Sequence, residues 1–189
     1  MLQQNDSIAN PCIIQFLTSE ECDQLVELLK DECWESALVG DSNSDSDIRR
    51  NFSLRTQGAS WWSKNLAPVV TEALAEINSK FWNFNVTGPL EANVLRYVEG
   101  GHYNTWHSDV GSGLCSNRKI SFSIQLTDPE SYVGGDLIFD SGKESSDRSN
   151  LRNQGTMIIF PSFLSHKVVP VVSGERYCIV GWLKGPPFV

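Results

Sequence analysis

The chain has 189 residues, of which 40% are apolar and 20% charged, and a formal net charge of -8. That is about one domain's length, enough to bury a core; the acidic balance excludes a wholly basic nucleic-acid-binding surface but not a local basic groove. Five scattered cysteines (Cys12, Cys22, Cys33, Cys115 and Cys178) without a CxxC pair predict free thiols in a reducing compartment, not a disulfide framework. The N-terminus lacks the basic and apolar regions of a leader, and no stretch nears 18 apolar residues. A soluble cytoplasmic protein with no membrane contact is the expectation.

In chain order, Pro11 to Leu17 holds a short apolar run of strand type. The following TSEECDQLVELLKDECW predicts a helix capped by Thr18 or Ser19, with Leu25, Leu28 and Leu29 on one face. Residues 36–50, dense in Ser, Asn, Asp and Gly, predict a mobile surface loop. A second helix is expected over about 60–80, kinked or broken at Pro68.

The period then changes. Segments 92–98, 119–126, 156–161 and 176–183 are short, rich in β-branched and aromatic residues, and punctuated by Gly, Asp, Ser and Pro. In KISFSIQL, Ile120, Phe122, Ile124 and Leu126 share one face, and Ser121, Ser123 and Gln125 the other. A polar face on such a strand points to a wet pocket. The expectation is a single domain, 1–189, mainly β, with helical support in roughly 18–82 and a sandwich or barrel core in roughly 92–183.

Three histidines are present. In GGHYNTWHSDV, His107 and Asp109 stand two apart, so in extended backbone both side chains point the same way. His166, after the apolar TMIIFPSF, supplies a third ligand from a distant strand. Two His and one carboxylate with open positions form the facial triad of non-haem iron sites. Ten residues beyond His166, Arg176 alternates onto one face with Cys178, Val180 and Trp182. A guanidinium aimed into a barrel needs an anion, and a dicarboxylate cosubstrate supplies one in bidentate fashion; the competing reading is a salt bridge to Glu175 or another surface acid.

With these pieces in place, ANVLRYVEGGHYNTWHSDV, ISFSIQLTD, GGDLIFD, GTMIIFPSFLSHKVVPV and GERYCIVGW resemble, in order, the 2-oxoglutarate and Fe(II)-dependent dioxygenases, most closely the prolyl 4-hydroxylase-like group. The resemblance covers residues 92–182. It implies a double-stranded β-helix (jelly roll) with N-terminal α-helices packed on it. It also implies His107, Asp109 and His166 as iron ligands, with Arg176 on the C5 carboxylate of 2-oxoglutarate. By the same resemblance Tyr97 matches a tyrosine that lines the cosubstrate pocket, and Gln125 stands where hypoxia-type enzymes carry a tyrosine that bonds this carboxylate; its amide can still donate a hydrogen bond, with altered affinity expected. Tyr103, Trp182 and Leu137 fall at the substrate pocket.

The implied reaction hydroxylates a prolyl residue in a peptide or protein, using O2 and producing succinate and CO2, with ascorbate as a reductant. None of the three ligands need act as a general base. Alternatives are hydroxylation of a free amino acid or other small molecule, and a non-catalytic cupin-like binding module. A nucleic acid demethylase is disfavoured by Trp182, which stands where that group has a second arginine, and by the net charge, so no nucleic acid partner is expected. The polar segments 110–119 and 141–153 read as lids, with Cys115 inside the first; Arg118, Lys119, Arg148 and Arg152 either steer an acidic substrate or keep these loops soluble. Natural substrate, hydroxylated position and oligomeric state are not encoded legibly.

Overall fold

The structure, a computed structural model, describes residues 10–37, 47–140 and 149–188. The strands are β1 (Cys12–Gln15), β2 (Glu35–Ser36), β3 (Arg49–Arg50), β4 (Phe52–Arg55), β5 (Leu90–Tyr97), β6 (His102–His107), β7 (Arg118–Gln125), β8 (Val133–Gly134), β9 (Leu137–Phe139), β10 (Thr156–Pro161), β11 (His166–Val168), β12 (Val171–Ser173) and β13 (Arg176–Lys184). The helices are α1 (Ser19–Leu29) and α2 (Ala67–Phe81). A seven-stranded antiparallel sheet, ordered β1-β10-β7-β13-β5-β4-β2, faces a four-stranded one, β3-β6-β11-β9, as the two walls of a jelly roll; β8 and β12 pair separately.

Thr18 caps α1 through a reciprocal box: its hydroxyl accepts from the Glu21 N–H at 3.2 Å, and the Glu21 carboxylate accepts from the Thr18 N–H at 2.8 Å. Before α2 the chain makes one π-turn, Trp62–Leu66, in which the Ala67 N–H bonds the Trp62 carbonyl. Pro68 explains it: its ring would strike the carbonyl four residues back in an α-helix, and the wider turn relieves that clash. The expected kink is thus a π-turn leading into a regular helix.

Both faces of the large sheet are buried, for different reasons. Its outer face (Ile120, Phe122, Ile124, Leu126) meets Val70, Leu74 and Ile77 of α2 and Cys22 and Leu29 of α1 in the main core. Its inner face, with Leu95, Tyr97 and Cys178, meets Leu137 and Val168 from the other wall and Val171 of β12 in a smaller core beneath the site. The alternation of KISFSIQL therefore separates apolar core from pocket wall, not core from solvent.

The region expected as a loop over 36–50 is partly strand. Arg49 and Arg50 pair with Tyr103 and His102, and Phe52–Arg55 pairs with β5. These strands are only two to four residues long, too short for alternation to carry a signal; residues 38–46 lie outside the described residues. Among the described residues no helix is long and apolar enough to cross a membrane.

Candidate metal centre and cosubstrate pocket

The end of β6 and the start of β11 lie side by side, with His166 opposite His107 in register. The Asp109 N–H bonds the Ser162 carbonyl at 2.9 Å, which fixes the turn after β6. One ligand atom from each of His107, Asp109 and His166 lies within 4.8 Å of the other two. The Nδ1 of each histidine lies 2.9 Å from a carbonyl two residues earlier, Thr105 for His107 and Leu164 for His166. With Nδ1–H donated there, each Nε2 is left with its lone pair for a metal.

Asp109 accepts from the Ser121 hydroxyl at 2.7 Å, and the Ser162 hydroxyl lies 2.9 Å from that of Ser121. Burial raises the Asp109 pKa, but His166, Ser121, His107 and the nearby Trp182 outweigh it and hold the carboxyl below its ordinary range, ionised. Burial, reinforced by His166, pushes the His107 imidazole down to about 4, so it is neutral at physiological pH. Neutral imidazoles and an ionised carboxylate are the states a divalent cation requires. The donor set fits iron.

Deeper in the cavity stands Arg176, 2% exposed. Its Nε and Nη2 donate to the Gln125 Oε1 at 3.2 and 2.7 Å, its Cζ lies 5.1 Å from the centre of the Tyr97 ring, and its Nη1 is buried with no hydrogen-bond partner. A buried guanidinium with an unsatisfied N–H is costly unless an acceptor arrives, and a carboxylate suits it. Burial pushes the Tyr97 phenol up to about 12, which keeps it a donor. The pocket therefore fits 2-oxoglutarate, with carboxylate recognition at Arg176 and a chelating end toward the triad. Gly135 packs against the Arg176 stem: φ is +68°, and a Cβ there would sit 3.2 Å from the arginine Cδ.

Several expectations change in detail. Gln125 does not offer its amide to the pocket: Nε2 donates to the Ser123 hydroxyl at 2.8 Å and Oε1 orients Arg176, because a side chain on the strand beside β13 meets the guanidinium first. The Glu175 carboxylate pairs with Arg96 at 2.8 Å and not with Arg176. Tyr103 stacks on His107 with centroids 3.7 Å apart, Leu137 is buried opposite Val168, and Trp182 lines the cavity beneath Arg118, whose Cζ is 3.6 Å from the ring centre.

The loop cations among the described residues are structural. Lys119 is buried with its ammonium over Phe188, and Arg152 bonds Asp136 and the Gly134, Pro129 and Tyr132 carbonyls. Arg118 and Lys119 already belong to β7, so only 110–117 is loop, and it contains a 3-10 turn at Gly113–Cys115. Cys115, half-buried, lines the cavity. Arg148 and most of the second expected lid, 141–148, lie outside the described residues. Ser121 could have been suspected from its polar strand face; Ser162 and Arg49, which also line or support the site, gave no sequence signal.

Comparison with known proteins agrees with this geometry. Residues 92–184 match the model of the 2OG-Fe(II) oxygenase superfamily. A PKHD-type hydroxylase of Synechococcus sp. (strain CC9311) is 31% identical over 181 residues, covering 90% of this chain and 76% of that relative. One from Synechococcus sp. (strain CC9605) is 31% identical over 102 residues, 54% of this chain but 46% of its own length, so this chain spans about half of that relative. The crystal structure of a Pseudomonas putida prolyl-4-hydroxylase superposes with a TM-score of 0.73 at 18% identity, covering 93% of this chain and 92% of that one. A Trichoplax adhaerens prolyl hydroxylase, in complex with a hypoxia inducible factor oxygen degradation domain peptide fragment, gives 0.74 at 21% identity, covering 93% and 84%. Shared along nearly its whole length with one relative, and over the motif-bearing strands with the family model, this chain belongs to the 2OG-Fe(II) oxygenase superfamily and is built on the fold of its prolyl 4-hydroxylases.

Proposed function

We propose that the chain is an Fe(II)- and 2-oxoglutarate-dependent dioxygenase that hydroxylates a prolyl residue in a peptide or protein. The observation that carries the cosubstrate is the buried guanidinium of Arg176, whose Nη1 has no hydrogen-bond partner in the protein and whose side chain lines the same cavity as the His107–Asp109–His166 cluster. In this reading those three residues hold iron, while Arg176, with Tyr97 beside it and Gln125 orienting it, holds the C5 carboxylate. Iron and 2-oxoglutarate, when bound, supply an oxidation coupled to decarboxylation that yields succinate, CO2 and a hydroxylated substrate.

The chain's own residues do the positioning. Ser121 holds the Asp109 carboxylate by its hydroxyl, Thr105 and Leu164 hold the imidazoles, and Tyr103 braces His107 by stacking. Leu137, Val168 and Phe160 line the apolar side of the cavity and exclude water around the reacting centre. Trp182 and Tyr103 stand where a substrate side chain would enter.

A peptide is favoured over a free amino acid by the size of the cavity, about 1200 Å³, which continues past the triad across β13, β5 and β4 to Glu35. That exceeds the usual small-molecule range. The Trichoplax neighbour with its bound peptide supports the same reading. The test is a library of proline-containing peptides incubated with enzyme, Fe(II), 2-oxoglutarate and O2, read by mass spectrometry for a gain of one oxygen. The gain is expected only with both iron and 2-oxoglutarate present; hydroxylation of free amino acids but of no peptide would overturn the substrate class.

A further inference from the structure

Beyond the triad, the cavity floor is the inner face of the large sheet, and its registers set out a row of side chains. Ser123 pairs with Val180, Val180 with Asn93, and Asn93 with Arg55, and all four line the cavity. The neighbouring row ends at Ser121, which bonds the Asp109 carboxylate. Arg55 thus stands at the far end of a track that starts beside the metal centre.

The cations lining this cavity differ in one respect. Arg176 is committed to Gln125, Arg118 to the Trp182 ring and the Asp109 carbonyl, Lys184 to Glu91, and Arg49 donates to Asn51. The Arg55 side chain, exposed on the cavity wall, has neither hydrogen bond nor ion pair among the described residues, nor has the side chain of Asn93, its neighbour in the row. Of the two acids flanking it in register, Glu91 is bonded to Lys184 and Glu35 pairs across the strands with Ser53, and among the described residues neither forms an ion pair with Arg55. An uncommitted guanidinium on a concave wall is a ready partner for a carboxylate brought by a ligand.

We propose that Arg55, assisted by the Asn93 amide, selects peptide substrates with an acidic side chain a few residues from the oxidised proline. The proposal rests on the peptide-hydroxylase reading and adds the charge and position of a second recognition element. Strands lie about 4.8 Å apart, so the three steps from Ser123 to Arg55 span about 14 Å, and an extended chain advancing about 3.3 Å per residue covers that in about four residues. The acid therefore belongs about three to five residues from the proline. The contact is at the open end of the cavity, so its effect is moderate and salt-sensitive.

The experiment uses the full chain, loaded with Mn(II) and 2-oxoglutarate without O2 for binding and with Fe(II) and air for turnover. The probes are fluorescein-labelled peptides with one central proline and a single Asp walked through every flanking position on either side, with a parallel Lys series. Fluorescence anisotropy and mass-spectrometric turnover are read together. Wild type is expected to prefer, about five- to tenfold at low salt, peptides whose Asp lies about three to five residues to one side. R55E is expected to move that preference to Lys at the same position, and Arg55→Gln to abolish it; reversal of sign is a readout that loss of folding cannot imitate. Peptides oxidised with no preference for acid position, or a preference unchanged in R55E, would overturn the role of Arg55 alone. Failure to bind or oxidise any peptide would overturn the peptide reading and this inference with it.

Discussion

Replacing Arg176 by Ala removes the guanidinium proposed to anchor the cosubstrate. The guanidinium is 2% exposed, two of its N–H groups share the Gln125 oxygen, and Nη1 has no partner within the protein. A bound carboxylate would therefore gain a charge-assisted bond from Nη1 that costs no internal bond. In the Ala variant the carboxylate would face the Gln125 carbonyl oxygen, an acceptor opposing an acceptor. Truncating one partner of a buried, hydrogen-bonded charge pair costs about 2–5 kcal/mol. That converts to roughly 30-fold to several-thousand-fold weaker 2-oxoglutarate binding. Arg176→Lys keeps the charge but loses the planar fork and its bonds to Gln125, so binding weakens without vanishing. The assay is calorimetric titration of 2-oxoglutarate into anaerobic, Mn(II)-loaded protein, with Mn(II) affinity as the control, since Arg176 is not among the metal-binding groups. Equal 2-oxoglutarate affinity in wild type and Arg176→Ala would refute the anchor assignment.

Ser121→Ala deletes the 2.7 Å donor to Asp109 and is expected to weaken Mn(II) binding about 10–100-fold, read by electron paramagnetic resonance titration; unchanged affinity would show that Asp109 needs no orienting partner. For pH, the His107 imidazole is held down to about 4 when folded, by burial and then His166, against about 6.5 when unfolded. The unfolded chain therefore binds more protons between these values. Metal-free protein should lose stability as pH falls from about 6.5 toward about 4 and stay level above that window, with a flatter profile in His107→Gln, measured by urea unfolding. Phe122, 1% exposed between α2 and β13, should cost about 3–5 kcal/mol of stability on replacement by Ala, seen as a lower urea midpoint at unchanged slope.

What could be read from the sequence followed where side-chain periodicity coincides with burial. KISFSIQL announced both the apolar face that meets the helices and the polar face that becomes the pocket wall, and the alternation from Arg176 to Trp182 placed four side chains that do line one cavity. His107 and Asp109, two apart, needed only extended backbone to converge, although the sequence could not show that His166 would lie in register opposite His107. The rest depends on long-range pairing. Strands of two to four residues such as Arg49–Arg50 and Phe52–Arg55 are too short for a period to be told from chance, and they pair on the edges that β6 and β5 offer them. The hydroxyl of Ser162, 41 residues from Ser121, reaches the site only through the β10–β7 pairing. Likewise the loop charges looked like solvated residues, but Arg118 and Lys119 stack on aromatic rings from the C-terminal strand and tail.

The central claim, Fe(II)- and 2-oxoglutarate-dependent oxygenation at His107, Asp109 and His166, is tested most directly with isotopic oxygen. Wild-type protein and His166→Ala would each be supplied with Fe(II), 2-oxoglutarate, a hydroxylatable proline peptide and 18O2, and both products weighed by mass spectrometry. Wild type is predicted to place one labelled atom in succinate and one in the hydroxylated peptide, in equal amounts, and His166→Ala to produce neither. Hydroxylated peptide without labelled succinate, or labelled products from the His166→Ala protein at the wild-type rate, would contradict the account.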